Sequence, residues 1–218
     1  MHQKSAIIVG AGVGGLTAGL RLLAAGWDVT ILERAALPGG KLRTVNFGDG
    51  PRIDAGPTVF TMRWIFDRLF AEFDETIDDH LTLHQAEVLA RHGWQDGSRL
   101  DLFADREKSA DAIAAFAGGD EAKGYLNFCD ESESIFKLLK DPFMARPAPS
   151  VGNLITAFGL SPLQAMRKMQ PFNTMWRGIS KHFQDPRLRQ LFGRYATYCG
   201  SSPYLAPATL MLVAHVEQ

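Results

Sequence analysis

An α/β fold that begins as a Rossmann-like dinucleotide-binding unit and continues as a mainly helical portion is what this sequence predicts, on three observations. An apolar strand runs directly into Gly10-Ala11-Gly12-Val13-Gly14-Gly15. A second strand ends on an acid, Glu33, about 20 residues beyond those glycines. A second glycine pair, Gly39-Gly40, follows with basic residues immediately behind it.

Each element follows from its residues. Ser5-Ala6-Ile7-Ile8-Val9 is a short apolar run suited to a buried parallel strand, and the glycine turn after it opens an apolar helix from Leu16 to about Leu23. Gly10 permits the tight turn, Gly12 lets backbone N–H groups approach a pyrophosphate, and Gly15 lets the helix pack close on the strand. The pyrophosphate is then expected on the helix N-terminus, where unpaired amides and the dipole favour negative charge, with Gly14 in the same turn. Asp28-Val29-Thr30-Ile31-Leu32 is the second strand, and Glu33 at its end is placed to accept the hydroxyls of an adenosine ribose. An acid there disfavours a 2′-phosphate, which makes NADP the least suitable dinucleotide. An NAD dehydrogenase would pass from this acid into another helix, whereas this chain inserts the second glycine turn, which points to FAD.

After Thr58 the pattern changes. Thr61 to Phe73 predicts an amphipathic helix, with Ile65, Leu69 and Phe73 at four-residue spacing. Glu87 to Trp94 and Arg99 to Phe103 flank Asp96-Gly97 and predict a β hairpin. Asp105 caps a helix through about Phe116, Gly118-Gly119 breaks it, and Asp120 starts a longer helix to about Leu139. Pro142 through Pro149 is the clearest linker, and the pieces beyond it, separated by Pro162, Pro171, Pro186, Pro203 and Pro207, are expected to be mainly helical. Tyr204 to Val216 suits either a core helix or a helix lining an apolar substrate passage. The expected organisation is residues 1–80 as the first part of an FAD-binding domain, 81–104 as a hairpin region, and 105–218 as a helical substrate-domain portion.

Composition narrows the function. A formal net charge of −1 with no basic block gives no electrostatic case for nucleic acid. Cys129 and Cys199 are far apart and belong to no CxxC or metal-like spacing, so neither a disulfide nor a metal is expected. The N-terminal apolar stretch is broken by glycines at dinucleotide spacing, unlike a secretory signal, and the run from Tyr204 to Val216 is shorter than the roughly 20 residues that span a bilayer. His84, His92, His182 and His215 share no spacing that marks a ligand set or a base. Asp54, standing before Ala55-Gly56-Pro57, is expected to fix that turn through backbone amides, and no catalytic acid or base stands out.

Glu33-Arg34, Pro38-Gly39-Gly40-Lys41-Leu42-Arg43-Thr44 and Asp54-Ala55-Gly56-Pro57-Thr58 together resemble the FAD-binding family of amine oxidases and carotenoid desaturases, whose fold is of the glutathione-reductase/amine-oxidase type. The resemblance implies that Gly39 and Gly40 lie against the flavin nucleotide. It also implies that Lys41 or Arg43 assists its phosphates or ribityl chain, that Gly56 and Thr58 lie nearest the ring, and that Arg34 and Pro57 belong to the same cofactor-binding set. Asp185 to Tyr198, Gly200-Ser201-Ser202-Pro203-Tyr204 and Ala206-Pro207-Ala208-Thr209-Leu210 resemble carotenoid desaturases of the bacterial phytoene-desaturase type. Aromatic core packing is the alternative reading of Arg194 to Tyr204.

Residues 53–64 and Leu89-Ala90-Arg91-His92-Gly93-Trp94 look most like the 1-hydroxycarotenoid 3,4-desaturases of purple photosynthetic bacteria, also called methoxyneurosporene dehydrogenases. That likeness implies a cytoplasmic enzyme peripheral to the inner membrane that takes an acyclic carotenoid and passes electrons to oxygen or a quinone. A phytoene desaturase and a flavin amine oxidase share the same nucleotide site and stay open as alternatives. Family members run to roughly twice this length, which makes the chain expected to be an N-terminal portion, inactive by itself and with apolar sheet surface uncovered.

Overall fold

The computed structural model describes residues 4–46, 48–57, 59–145 and 162–217, the last stretch without the side chains of 162–165. The chain forms two compact units, Met1–Thr82 and Leu83–Gln218. The hairpin region therefore belongs to the same unit as the helices that follow it.

In the first unit, β1 (Ser5–Val9) and β2 (Asp28–Leu32) pair in parallel, with Ser5 opposite Asp28 and Val9 opposite Leu32. They are joined by α1 (Val13–Ala24), which starts three residues earlier than the apolar periodicity predicts because the glycines already lie in its first turn. Alternation divides the sheet. Ile8, Val29 and Ile31 face α1, where a Cβ on Gly19 would stand only 3.1 Å from Ile31 Cδ1, so glycine sets the helix-to-sheet distance. On the opposite face Ile7 is 70% and Val9 85% exposed.

A short antiparallel ribbon, β3 (Thr44–Asn46) and β4 (Arg52–Asp54), follows. Strands of three residues carry no alternation that would announce it in the sequence. α2 (Arg63–Ala71) is held at its far end by Glu72, which takes a two-pronged bond from Arg21 of α1 (2.6 and 2.8 Å).

The second unit opens with β5 (Val88–Gly93) and β6 (Arg99–Phe103), antiparallel as predicted. Gly97 takes φ +83°, and Asp96 accepts from the Ser98 amide (2.9 Å) and hydroxyl (2.6 Å) to fix the turn. The buried Ser109 exchanges bonds with both backbone groups of Phe103, tying the hairpin to α3 (Arg106–Ala117). Asp105 caps that helix through the Lys108 amide (2.9 Å), and Gly118 at φ +102° ends it.

α4 (Gly119–Leu139) is the central helix of this unit, and its Tyr125 and Phe128 meet Phe183 and Phe192 in a fully buried aromatic group. Pro142 is buried inside a π-helical turn, Lys140–Met144, that continues α4 rather than starting a linker, while 146–149 lie outside the described residues.

α5 (Pro162–Met169), α6 (Met175–Ile179) and α7 (Pro186–Gly193) follow. Pro186 delimits α7 by standing at its first position, where a proline loses an N–H that has no helical partner. The run from Tyr204 to Val216 is not one helix. Tyr204 and Leu205 are exposed, and a 3-10 turn at Ala208–Met211 leads into α8 (Leu212–Glu217) after Pro207, whose missing N–H prevents continuation.

Candidate functional site

The first unit gathers the predicted nucleotide residues around two linked glycine turns. Gly10, at φ +101°, donates its N–H to Leu32 O at 2.7 Å, which draws the turn onto the end of β2. The next peptide is held on both sides. The Ala11 N–H donates to Glu33 Oε2 (2.7 Å), and the Ala11 carbonyl accepts from the Gly39 N–H (2.8 Å). Gly40, at φ +61°, then approaches Gly12 so closely that a Cβ on it would stand 3.0 Å from Gly12 Cα. The second glycine pair thus braces the first, a role the sequence did not reveal.

Gly15 is needed for a different reason. A Cβ there would lie 1.9 Å from Gly10 O. Gly14, by contrast, would carry a Cβ into open space. The N-terminus of α1 has no side-chain cap and no acid in its first turn, so its first N–H groups are available to an anion.

Beyond these turns lies a cavity of about 850 Å³, a size suited to a ligand site, lined by the segment from Glu33 to Pro38, by Gly40 to Thr44, by Arg52 and Asp54, and by Gly56-Pro57. Seven predicted residues therefore meet there: Glu33, Arg34, Gly40, Lys41, Arg43, Gly56 and Pro57. Gly10, Gly12, Gly14, Gly15 and Gly39 form the adjoining turns, and Thr58 lies outside the described residues. Gly56 is required by close approach, since a Cβ would stand 2.0 Å from Lys41 O.

The Glu33 carboxylate accepts from the Ala35 N–H (2.9 Å) as well as from Ala11, and these amides hold its carboxyl below the usual glutamate range. Each oxygen keeps a further lone pair for a hydroxyl. The Asp54 side chain makes no hydrogen bond among the described residues, which leave out Thr58 of the turn that follows it; Asp54 stands on β4 opposite Thr44.

An uncapped helix start, glycines where any Cβ would collide, a carboxylate with acceptor capacity and a cavity with basic walls together fit an adenine dinucleotide.

The second unit has a separate cavity of about 440 Å³ lined by Trp176, Gln190, Gly193, Arg194, Thr197, Pro203 and Tyr204. It falls on the desaturase-like segment. Core packing accounts for Leu191, Phe192 and Tyr195, which are buried, but not for Tyr198 and Tyr204, which are exposed.

Beside this cavity, Glu217 accepts from Arg194 Nη2 (2.7 and 2.9 Å), Tyr195 Oη (2.5 Å) and Tyr198 Oη (2.9 Å). Burial pushes the Tyr195 hydroxyl well above its ordinary range, so it stays protonated and donates. His182 meets Glu131 at 2.6 Å, and His215 packs on Phe136. Among the described residues no group of three or more His, Cys, Asp or Glu side chains is placed to hold a metal ion.

The profile of the "Flavin containing amine oxidoreductase" family matches residues 13–198. The chain is 50% identical over 218 residues to hydroxyneurosporene desaturase of Rubrivivax gelatinosus, covering all of this chain and 41% of that protein. It is 34% identical over 219 residues to 1-hydroxycarotenoid 3,4-desaturase of a Flavobacterium species, covering 99% of this chain and 43% of that protein. It thus spans about two fifths of the length of these curated relatives. Among solved structures, a triple mutant of putrescine oxidase superposes with a TM-score of 0.58 at 16% identity, over 97% of this chain and 41% of that one. At that identity the likeness establishes the fold alone.

Proposed function

The chain belongs to the flavin containing amine oxidoreductase family, and from that premise we propose that it supplies the nucleotide site and part of the substrate region of an FAD-dependent carotenoid desaturase. The proposed reaction introduces the C3,4 double bond into an acyclic 1-hydroxycarotenoid such as 1-hydroxyneurosporene. The observation that carries this reading is the 50% identity, over all 218 residues, to a protein named for hydroxyneurosporene desaturation.

When bound, a flavin supplies a two-electron acceptor that takes a hydride from one carbon while a proton leaves its neighbour. The chain's own residues bind and orient. Gly10, Gly12, Gly14 and Gly15 present the amides of the α1 start to the pyrophosphate, and Glu33 takes the ribose hydroxyls with Arg34 beside it. Gly39 and Gly40 brace that turn, Lys41 or Arg43 would serve the phosphates or ribityl chain, and Gly56 and Pro57 would lie toward the ring, with Thr58 assigned to it on the sequence resemblance alone. The cavity by Trp176 and Tyr204 is the candidate contact for the carotenoid, where apolar walls align the polyene and exclude water.

A carotenoid partitions into lipid, so the reading includes loading from a membrane surface on the cytoplasmic side. Among the described residues no helix is long and apolar enough to cross a membrane. Oxygen or a quinone would be the electron acceptor in this reading.

The test is a chimera in which this chain replaces the matching segment of the Rubrivivax gelatinosus relative, supplied with lipid-dispersed 1-hydroxyneurosporene. The polyene should lengthen by one double bond, with a red-shifted absorption. Conversion of phytoene with the hydroxylated substrate untouched, or oxidation of an amine instead, would refute the assignment.

A further inference from the structure

The β3–β4 ribbon has two chemically distinct faces. Residues directly opposite one another in an antiparallel pair share a face, and so do residues two apart. Thr44 pairs with Asp54 and Asn46 with Arg52, so these four lie together, while Val45 and Ile53 occupy the reverse face. The cavity wall includes Thr44, Arg52 and Asp54 but neither Val45 nor Ile53, which means that the polar face of the ribbon forms part of the wall.

Arg52 reaches diagonally across the ribbon, donating from Nη2 to Thr44 Oγ1 at 3.2 Å. It makes no ion pair with any described residue, although Asp54 stands two positions on. Four basic residues line this cavity, Arg34, Lys41, Arg43 and Arg52, against two acids, Glu33 and Asp54. Glu33 already accepts two backbone N–H bonds. The wall therefore carries an excess of two positive charges, which matches the two negative charges of a dinucleotide pyrophosphate.

We infer that Arg52, braced by Thr44, is a further phosphate-binding residue of this cavity. The inference rests on the flavin reading above and adds a ligand from an element with no dinucleotide signature. A guanidinium held by one neighbour loses less freedom on binding than a free one, and its remaining donors suit two phosphate oxygens at once.

The experiment is FAD titration of the intact protein at low and high ionic strength, for wild type, R52Q, R52K and T44V. R52Q should weaken FAD by about tenfold or more and flatten the salt dependence, since one charge–charge contact is gone. R52K should keep the salt dependence, and T44V should show a smaller loss than R52Q. Equal affinity in R52Q and wild type overturns the inference, and so does a loss in R52Q with the wild-type salt dependence, which marks a structural role. A wild type that takes up no FAD overturns the flavin reading itself, and this inference with it.

Discussion

Replacing Gly15 by alanine places a Cβ 1.9 Å from Gly10 O and 3.1 Å from Gly10 C. Carbon and carbonyl oxygen rest comfortably at about 3.3 Å or more, so the first turn of α1 and the strand-to-helix turn must separate by about 1.4 Å. That carbonyl cannot move cheaply. Its own residue is anchored to Leu32 O at 2.7 Å, and the next peptide is held by Glu33 and Gly39. Overpacking of this kind costs about 1 to 3 kcal/mol. The displaced turn also misdirects N–H groups aimed at phosphate, each worth roughly 1.5 to 3 kcal/mol as a charge-assisted bond, so FAD affinity should fall at least about tenfold.

Gly14→Ala is the matched comparison, one residue away on the same turn. Its Cβ meets nothing, and alanine is a better helix former than glycine by up to about 1 kcal/mol. Stability should hold or rise and FAD affinity should be unchanged, because Gly14 contributes only its backbone N–H. Urea unfolding of the flavin-free protein and titration by flavin fluorescence quenching read the two effects separately. If Gly15→Ala bound FAD as tightly as Gly14→Ala, the close-packing argument for this turn would be wrong.

Three further outcomes follow from the same geometry. Because Glu33 is held below the usual glutamate range, its contribution to the turn is full above that range and is lost as pH falls through the lowered pKa, so the unfolding difference between wild type and Glu33→Gln should shrink in acid, as paired urea titrations across pH would show. Gly56→Ala, with its Cβ 2.0 Å from Lys41 O, should weaken FAD in the titration assay while leaving the unfolding of Leu83–Gln218 unchanged, as followed by hydrogen exchange. Glu217→Ala strands the half-buried Arg194 guanidinium beside two tyrosine hydroxyls and should cost about 3 kcal/mol in urea unfolding of the second unit, with FAD binding unaffected.

The part of the fold legible in the sequence is the part whose signals are local. β1, the glycine turn, α1 and β2 carry an apolar run, backbone-specific glycines and an acid in sequence order. The Asp96-Gly97 hairpin, the Asp105 cap and the Gly118 break are equally local, each resting on turn or cap chemistry within a few residues. β3 and β4 escaped because strands of three residues are too short for alternation to show, even though Gly48-Asp49-Gly50 between them is a turn signal. Arg52 escaped with them.

The bracing of Gly12 by Gly40 depends on a backbone approach between residues 28 apart in the chain, and the Glu217 cluster joins groups 19 to 23 residues apart. Such contacts are set by tertiary packing, for which spacing gives no period. The two glycine turns and the acid that border the cavity carry local signals in the sequence, while their mutual support does not.

The most direct test is a crystal structure of the intact protein with FAD. The account predicts the pyrophosphate over the start of α1, within hydrogen-bond reach of the first-turn amides, with the adenosine ribose on Glu33 and the dinucleotide running through the cavity lined by Lys41, Arg43 and Arg52. FAD seated away from α1, with Glu33 still bonded only to Ala11 and Ala35, would contradict it.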